Sequence, residues 1–476
     1  MGTTDSARRQ IRPGPVAAGA RPPPRPGGGA PPAGGPPGWR APPTAAEEAA
    51  SPPRRPGRRS MIGVPFERHR TVRIGMIGLG NRGMSMIGGW SAVPGAAVTA
   101  VCDIRAERAK AAADKLAADG RPRPAEYGGS ADAYRKMLAR DDIDLVYIAT
   151  PWEFHYPQGK AALLSGKHVG VELPIATELD QLWDLVDTSE QTRKHLFLAE
   201  NCSYGRNELA ILKMAHEGVF GEVTNGHGGY LHDLRELLFS DTYYTDAWRR
   251  KWHTRSTASF YPMHGLAPIA ACMDVNRGDR FATLRATATE PKGLADYRKR
   301  HMPPGHPSWK ETYINGDLVT CLIETEQGRI IRAEHDVSSP RPYSRINSLA
   351  GSRGIVEDYP ARIYIEPDHS GHAWKDFGPY RDRHDHWLWK KLKDDPNLGG
   401  HGGMDYVLQW RIVQQMRAGL VPDIDVYDSA AWCSPVPLSV VSLDRGGKPV
   451  AVPDFTRGGW QKARPGLDSQ PSEMPV

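Results

Sequence analysis

Short apolar segments alternate with longer segments of helical periodicity between residues 71 and 200. The apolar segments predict buried strands at residues 72–77, 98–102, 144–149, 166–171 and 196–200. The segments between them predict helices at residues 106–119, 130–140 and 179–192. Because short buried strands that alternate with helices are typical of a parallel sheet covered on both faces, residues 71–200 are predicted to form a doubly wound Rossmann α/β domain.

A different pattern begins after residue 200, where apolar and polar positions alternate over longer stretches. This alternation predicts strands with one buried face, at residues 318–325 and 330–337 and on either side of residues 351–354. Helices are predicted at residues 207–217 and 404–417. We therefore expect a C-terminal α+β substrate-binding domain over residues 201–430, with a mostly antiparallel or mixed open sheet, followed by a C-terminal extension at residues 431–476.

The first 60 residues are rich in proline, glycine, alanine and arginine. Such a segment buries too little apolar surface to offset its ordering entropy, so we predict a disordered tail that ends at residue 70, before the first strand. Residues 1–60 contain ten arginines and three acidic residues, a net charge of +7, whereas the whole chain of 476 residues carries +6. The remaining residues therefore carry a net charge of about −1, which argues against a nucleic-acid partner for the folded part.

The five cysteines are an odd number, and no two of them have the Cys-x-x-Cys spacing. This pattern favours reduced thiols over a disulfide framework. No apolar stretch approaches the roughly 18 residues that a membrane-spanning helix needs, so no membrane partner is expected. Arginine pairs at residues 54–55 and 58–59 are reminiscent of a twin-arginine export signal, but no apolar segment follows them. A cytoplasmic protein is therefore expected, with an exported form as the alternative.

A glycine-rich segment, GLGNRG at residues 78–83, follows the first predicted strand. In this context the spacing predicts a dinucleotide site, because Gly78 permits a tight turn, Gly80 lets a pyrophosphate approach the backbone and Gly83 lets the next helix pack against the strand. Free N–H groups at the start of that helix would bind the phosphates. Asp103 ends the second strand, where a carboxylate binds ribose hydroxyls and repels a 2′-phosphate. The sequence therefore predicts NAD rather than NADP.

Three further segments resemble the Gfo/Idh/MocA oxidoreductase family: ATPWEFH at residues 149–155, GKHV at 166–169 and ELPIA at 172–176. In that family the last segment usually reads E-K-P-x-A, and its lysine is catalytic and contacts the cofactor. Leu173 occupies the lysine position here. Because an alkyl side chain can neither relay a proton nor polarise a hydroxyl, this departure argues against ordinary sugar dehydrogenation by that lysine.

The branch that tolerates an apolar residue at this position is glycoside hydrolase family 109, the NAD-dependent α-N-acetylgalactosaminidases. The chain resembles this family over roughly residues 71–430. The resemblance rests on ENCSYGR at residues 200–206, GGYLHDLR at 228–235, WR at 248–249 and, most specifically, YPMHG at 261–265.

The resemblance implies two groups of site residues. Besides the glycines, the residues implied to line the cofactor are Asn81, Arg82, Asp103, Trp152, Glu153, Phe154, His155, Glu172, Leu173 and Asn201. The residues implied to contact the sugar are Tyr230, Arg249, Tyr261, Pro262, Met263, His264 and Tyr343.

The implied reaction is hydrolysis of a terminal α-N-acetylgalactosaminide, with a transient oxidation at C3 of the sugar by NAD. The C3 ketone acidifies the C2 hydrogen, a base removes it, and the aglycone leaves from C1. Water then adds and C3 is reduced again, so NAD is regenerated. His264 is the candidate for exchanging the C3 hydroxyl proton, because imidazole groups transfer protons reversibly near neutral pH.

The base that acts at C2 is expected to be a tyrosine, and four tyrosines are candidates: Tyr204, Tyr230, Tyr261 and Tyr343. Of these, Tyr204 and Tyr261 are assigned with His264 as catalytic residues. Because an unperturbed tyrosine has a pKa near 10, a tyrosine base would need a neighbouring cation such as Arg206 or Arg249.

Two other functions stay open: an NAD-dependent sugar or cyclitol dehydrogenase, which would accumulate NADH, and a non-catalytic NAD-binding protein. No metal site is expected, because the histidines at positions 369, 372, 384 and 386 have irregular spacing and no cysteine partner. The expected partner is a small-molecule glycoside or a glycan terminus, and the chain is expected to form a homo-oligomer.

Overall fold

The computed structural model describes residues 51–368 and 371–468, so the predicted tail up to residue 50 lies outside the described residues. The structure corrects the prediction of disorder for residues 51–70, which form an extended segment packed on the folded part of the chain. Met61 and Phe66 are only 1% and 3% exposed, and Arg54 pairs with Glu190 at 2.9 Å. The two buried apolar side chains and the ion pair hold this segment on the folded part. The local composition, rich in proline and arginine, did not indicate these contacts.

Six parallel strands form the N-terminal sheet, in the order β3-β2-β1-β4-β5-β6. The strands are β1 (Val72–Ile77), β2 (Ala96–Asp103), β3 (Ala125–Gly128), β4 (Leu145–Ile148), β5 (His168–Val171) and β6 (Leu196–Leu198). The helices are α1 (Asn81–Ala92), α2 (Ala106–Ala118), α3 (Ala133–Leu138), α4 (Trp152–Leu164) and α5 (Leu179–Thr192). This topology confirms the predicted doubly wound Rossmann sheet. The short edge strand β3 was not predicted, because its four residues alternate between half-buried and exposed.

Nine strands form the second sheet, in the order β14-β13-β12-β11-β7-β10-β9-β8-β15. The strands are β7 (Val223–Leu231), β8 (Phe281–Ala288), β9 (Leu318–Thr325), β10 (Ile330–Asp336), β11 (Ser348–Gly351), β12 (Gly354–Glu357), β13 (Arg362–Ile365), β14 (Lys375–Asp376) and β15 (Val450–Ala451). The pair β7–β10 is parallel and the other pairs are antiparallel, so the sheet is mixed, as predicted.

The helices of the C-terminal part pack around this sheet. The α-helices are α6 (Arg206–His216), α7 (Arg235–Phe239), α8 (Trp248–Trp252), α9 (Met263–Cys272), α10 (Gly293–His301), α11 (Gly378–Arg383), α12 (Trp387–Leu392), α13 (Met404–Ala418), α14 (Val426–Cys433) and α15 (Pro435–Asp444). Short 3-10 helices lie at Asn201–Tyr204, Thr245–Ala247, Pro307–Lys310, His401–Gly403 and Gly459–Gln461. Within the described residues, no helix has both the length and the apolar character to cross a membrane.

The close approach of α9 to β7 positions the chemistry discussed below. A side chain at Gly265 would place its Cβ 1.9 Å from the backbone nitrogen of Gly229, and one at Gly228 would meet the carbonyl oxygen of Gly265 at 2.3 Å. Only glycines permit this backbone contact. The contact brings His264, at the start of α9, next to Tyr230, near the end of β7.

All five cysteines are buried free thiols, as the odd number and the spacing predicted.

His216, the last residue of α6, is expected to make stability depend on pH. Its Nε2 lies 3.3 Å from Asp274 and its Nδ1 lies 3.2 Å from Asp468, and hydrogen bonds to these carboxylates raise the pKa of His216 to about 9. Because the pKa is raised in the folded state, this stabilisation is complete below the unfolded value of about 6.5 and is lost as the pH rises through 9.

Allowing for solvent screening at a partly exposed site, we expect the free energy of unfolding to fall by about 1–2 kcal/mol between pH 6.5 and 9.5. Urea unfolding of the natural protein and of His216→Asn at both pH values would measure this difference. An equal pH dependence in the two proteins would contradict the assignment.

Candidate active site

One cavity of 1120 Å³ receives residues from both sheets. Gly78 follows β1 and Ala149 follows β4, so the first wall is the carboxyl edge of the parallel sheet. Tyr230 from β7 and His264 from α9 belong to the opposite wall. Ligands of doubly wound folds bind at this edge of the parallel sheet. We call this space the site cavity.

The glycine-rich turn after β1 forms one end of the site cavity. Gly78 has a φ of +88°, and a Cβ there would lie 2.7 Å from the backbone of Ala149. A Cβ at Gly83 would lie 1.9 Å from the carbonyl oxygen of Gly78, so this glycine lets α1 start directly beneath the turn. At Gly80 a Cβ would have only the side chain of Arg108 near it, at 3.7 Å, so the backbone is open to the cavity. This cradle fits the pyrophosphate of a dinucleotide.

Asp103 connects this turn to the next strand. Its Oδ2 accepts a hydrogen bond from the N–H of Leu79 at 2.7 Å, and its Oδ1 accepts one from the N–H of Arg105 at 2.9 Å. The carboxylate is therefore held in place at the cavity wall, where it can accept hydrogen bonds from ribose hydroxyls.

A network of charged side chains lies beside Leu173. Arg82 donates through Nε to Glu172 at 2.7 Å and through both terminal nitrogens to Asp405, at 2.9 and 3.0 Å. The amide of Asn201 also donates to Asp405, at 2.7 Å. Burial by itself would raise the pKa of Asp405, but the hydrogen bond from His401 and the charge of Arg82 hold it well below its usual range. Arg82 thus pairs with the residue that precedes Leu173 in the chain.

Most residues predicted for the cofactor line the site cavity. They are Gly78, Gly80, Asn81, Arg82, Asp103, Trp152, Phe154, His155, Glu172, Leu173 and Asn201. Gly83 lies beneath the turn, and Glu153 points outward and accepts a hydrogen bond from Trp252 at 3.3 Å. His155 is fully buried, and its two ring nitrogens lie 2.7 Å from the backbone oxygens of Pro174 and Thr150. His155 therefore holds two segments of the wall together.

Arg249 occupies the centre of an aromatic cluster that joins the two walls, because it includes Trp152 at the start of α4. Its guanidinium carbon lies 4.9–5.9 Å from the ring centroids of Tyr261, Trp152, Tyr244 and Tyr230. Nη1 donates to the Tyr244 hydroxyl at 3.1 Å, whereas the buried Nη2 has no hydrogen-bond partner among the described residues. Arg249 lines the cavity, and within the described part of the chain no carboxylate pairs with this buried guanidinium, so it favours an oxygen acceptor in a bound molecule.

His264 faces the same cavity. Its Nδ1 lies 2.7 Å from Oε1 of the buried Glu200, and its ring lies between those of Tyr230 and Tyr261, with centroids 5.3 and 4.9 Å away. With Nδ1 bonded in this way, Nε2 is the nitrogen available to a bound molecule.

Tyr230 forms a second polar pair. Its hydroxyl lies 3.0 Å from Nδ1 of His232, and the ring of Tyr343 lies 4.9 Å from that of His232. Burial raises the pKa of Tyr230 above its usual range, and Arg249 opposes that effect. Burial also lowers the pKa of His232, with Arg249 acting in the same direction, so this imidazole is a neutral hydrogen-bond acceptor near neutral pH.

The structure does not bring Tyr204 into the site cavity. This tyrosine is 1% exposed, and its hydroxyl lies 3.4 Å from Asp423 on the far side of the core. The placement contradicts the prediction of a catalytic Tyr204: Asn201 and Cys202 of the same 3-10 helix line the cavity, whereas Tyr204 packs into the core. Pro262 and Met263 are also buried behind the wall, where they position the start of α9. Tyr261 and Tyr343 do line the cavity.

Several cavity residues were not predicted, among them His232, Tyr244, Cys202, Arg345 and Tyr359. His232 could have been found, because residues two apart on a strand face the same side and Tyr230 was already a candidate. Cys202 lies in the ENCSYGR motif at residues 200–206, which had drawn attention to its neighbours only. Tyr244, Arg345 and Tyr359 carry no local motif that separates them from ordinary packing residues.

Two family models match adjoining parts of the chain. Residues 72–200 match the oxidoreductase family with an NAD-binding Rossmann fold, and residues 204–462 match the C-terminal domain of glycosyl hydrolase 109. The first match supports the prediction of NAD as the cofactor, and the geometry of the glycine turn and Asp103 fits that cofactor.

Two relatives resemble the chain over most of their length. A glycosyl hydrolase family 109 protein of Streptomyces coelicolor is 77% identical over 429 residues, which cover 89% of this chain and 91% of the relative. An alpha-N-acetylgalactosaminidase of Shewanella oneidensis is 41% identical over 412 residues, which cover 86% of this chain and 90% of the relative.

Among solved structures, the inositol dehydrogenase homolog of Azotobacter vinelandii in complex with NADH and myo-inositol has a similar fold. Its TM-score is 0.57 and its identity 19%, over 82% of this chain and 99% of that chain. At this level of identity the comparison supports the fold alone.

Proposed function

Because this chain belongs to glycosyl hydrolase family 109 and binds NAD in its Rossmann domain, we propose that it hydrolyses terminal α-N-acetylgalactosaminides through transient oxidation at C3 of the sugar. One observation carries the proposal: the glycine-rich cofactor turn, His264 and the Arg249 cluster all line the same cavity. His264 and Tyr230, which can exchange protons, line the cavity that fits the dinucleotide. This arrangement suits redox-assisted glycoside cleavage, in which no pair of carboxylates is required.

NAD, when bound, supplies the reversible oxidation at C3 of the sugar. His264 removes the proton of the C3 hydroxyl through Nε2, because Nδ1 is bonded to Glu200. The same nitrogen returns the proton when C3 is reduced at the end of the cycle. A single histidine can serve both directions, since imidazole accepts and donates protons near neutral pH.

The pair Tyr230 and His232 supports removal of the C2 proton. The Tyr230 hydroxyl is 3.0 Å from the neutral His232 ring, so its own proton can pass to His232 Nδ1 while its oxygen accepts the proton from C2. This route avoids a tyrosinate, which burial disfavours. The positive charge that forms on His232, which burial also disfavours, is offset by the negative charge that develops on the sugar. Tyr261 also lines the cavity, but burial and the nearby Glu172 raise its pKa well above the usual range.

Arg249 supports the step at C2 electrostatically. Removal of that proton beside a ketone places negative charge on the C3 oxygen, and the guanidinium of Arg249, which lines the cavity, can donate to such an oxygen or to the acetamide oxygen of the sugar. The ring cluster keeps the guanidinium in place before the sugar binds. A donor positioned in advance stabilises the developing charge without reorganisation.

The test uses purified protein and an aryl α-N-acetylgalactosaminide in deuterated water. We expect release of the aryl group, deuterium at C2 of the product sugar and no net formation of NADH. Aryl release without deuterium at C2 would contradict the oxidation–elimination route. Accumulation of NADH with the glycoside intact would instead indicate a dehydrogenase.

An aryl α-galactoside, which lacks the acetamide group, is the matched control for the sugar. We expect the N-acetylated substrate to be preferred. Equal turnover of both substrates, or turnover of the galactoside alone, would contradict the proposed specificity.

A further inference from the structure

We propose that Glu200 is a positioning residue that keeps His264 in the Nδ1–H tautomer and stabilises the imidazolium formed when His264 takes up the C3 hydroxyl proton. The inference deepens the function proposed above and rests on the role given there to His264.

The position of Glu200 is set by the end of the parallel sheet. Glu200 follows β6 and precedes the 3-10 helix Asn201–Tyr204, where its Oε1 accepts a hydrogen bond from the N–H of Cys202 at 2.9 Å. The same oxygen lies 2.7 Å from Nδ1 of His264, which is 64 residues away in the chain. The backbone bond fixes the carboxylate, and the carboxylate in turn fixes the imidazole.

The burial of Glu200 indicates that it has an electrostatic role. Its side chain is 0% exposed, and within the described residues its only ion-pair partner is His264. Its Oε2 is buried and has no hydrogen-bond partner in that part of the chain. A buried carboxylate with one free oxygen is strongly destabilising unless a positive charge forms nearby. Protonation of His264 places such a charge 2.7 Å from Oε1.

The hydrogen-bonding chemistry determines the tautomer. An ionised carboxylate only accepts hydrogen bonds, so the proton between the two groups belongs to Nδ1 of His264. Nε2 then carries the lone pair that the C3 hydroxyl proton must reach. When that proton arrives, Nδ1 keeps its own proton, and the product is an imidazolium paired with the Glu200 carboxylate. Return of the proton to C3 oxygen restores the neutral ring, so no other proton acceptor is needed.

Cys202 does not disturb this arrangement. Its Sγ lies 3.0 Å from His264 Nδ1, but burial raises the pKa of the thiol well above its usual range, so it stays protonated. The thiol donates to Oδ1 of Asn201 at 3.6 Å, and the Asn201 amide is oriented by its bond to Asp405. The thiol thus adds a weak acceptor next to Nδ1 and leaves the proton on the ring.

The ligand atoms of Glu200, Cys202 and His264 all lie within 4.8 Å of one another, so the same three residues could hold a metal ion. In that case Nδ1 would bind the metal and would carry no proton. The protonation of His264 Nδ1 therefore distinguishes the positioning role of Glu200 from a metal site.

The kinetic test compares Glu200→Gln and Glu200→Asp with the natural enzyme. Glutamine keeps the shape and removes the charge, so we expect kcat to fall about 10²-fold, at the low end of what a positioned acid-base group contributes. KM and the affinity for NAD should be unchanged, and aspartate should restore part of kcat. Glu326→Gln, which removes a half-exposed carboxylate between β9 and β10 outside the site cavity, is the control and should retain full turnover. A full kcat in Glu200→Gln, or an equal loss in the control, would overturn the proposal.

The second readout does not depend on the substrate. In ¹⁵N-histidine-labelled protein, the signals of His264 are identified by their absence from His264→Gln, and they should show the Nδ1–H tautomer. An Nε2–H tautomer would overturn the proposal. Stoichiometric zinc in the purified protein, together with loss of turnover on chelation, would also overturn it and would indicate a metal site. Because the tautomer is read in the free enzyme, failure of the proposed glycosidase activity would be seen separately.

Discussion

Replacing His264 with glutamine is expected to lower kcat for the aryl α-N-acetylgalactosaminide by about 10²–10⁴-fold, the contribution of a positioned acid-base group. Glutamine has a similar size and can keep a hydrogen bond to Glu200, but it can neither take up nor return a proton. The oxidation at C3 should therefore stall before any proton leaves C2. We expect the affinity for NAD to be unchanged, because His264 belongs neither to the glycine-rich turn nor to the end of β2 at Asp103.

Single-turnover absorbance of the reduced nicotinamide and deuterium incorporation at C2 would locate the stalled step. In His264→Gln both signals should disappear together with aryl release. His301→Gln is the control, because His301 ends α10 outside the site cavity and stacks on Tyr297. Deuterium exchange at C2 that continues in His264→Gln would show that another group removes the C3 hydroxyl proton.

Replacing Arg82 with methionine is expected to lower the free energy of unfolding by about 2–3 kcal/mol, below the effect of removing one partner from a fully buried ion pair, because the Arg82 side chain is 25% exposed. The substitution leaves Glu172 and Asp405 without the cation that bonds to both. Asp405 would keep only its contacts with Asn201 and His401, of which His401 is largely exposed. The two carboxylates would then repel each other across a gap that methionine cannot bridge.

Chemical denaturation of Arg82→Met beside Arg123→Met would measure this effect. Arg123 pairs with Asp114 and Glu126 at the surface, with 44% of its side chain exposed, and exposed pairs contribute about 0–1 kcal/mol. Adding Asp405→Asn to Arg82→Met should recover part of the loss, since one uncompensated charge is removed. Equal stability of Arg82→Met and the control would show that the network contributes little.

The cofactor end of the site was predictable because its requirements are local. The turn at residues 78–83 joins one strand to the next helix. Gly78 and Gly83 are required by backbone contacts with the adjacent strand and within the turn, and Gly80 leaves the backbone open to the cavity. Asp103 ends the neighbouring strand, so its place followed from the strand order. The requirements of the turn and of the strand end act over short stretches of chain, so they produce a recognisable spacing in the sequence.

The opposite wall was only partly predictable. The resemblance brought His264, Tyr230, Tyr261 and Arg249 to attention, and these residues do meet in one cavity. It also suggested Tyr204, whose ring packs in the core although Asn201 and Cys202 of the same 3-10 helix line the cavity. Which side of a short helix faces a cavity depends on what packs against it, and no periodicity develops over four residues.

By itself, the sequence determined the Rossmann sheet, the NAD turn and the glycoside hydrolase family, because these depend on local spacing or on shared motifs. Only the tertiary structure decided that Glu200 supports His264, and that Arg82 pairs with Asp405, 323 residues away in the chain. It also decided that residues 51–70 pack on the folded part through Met61 and Phe66. The physical reason is the same in each case: a buried charge or an isolated apolar side chain is stabilised by whatever the fold places next to it, and that partner leaves no trace in the neighbouring sequence.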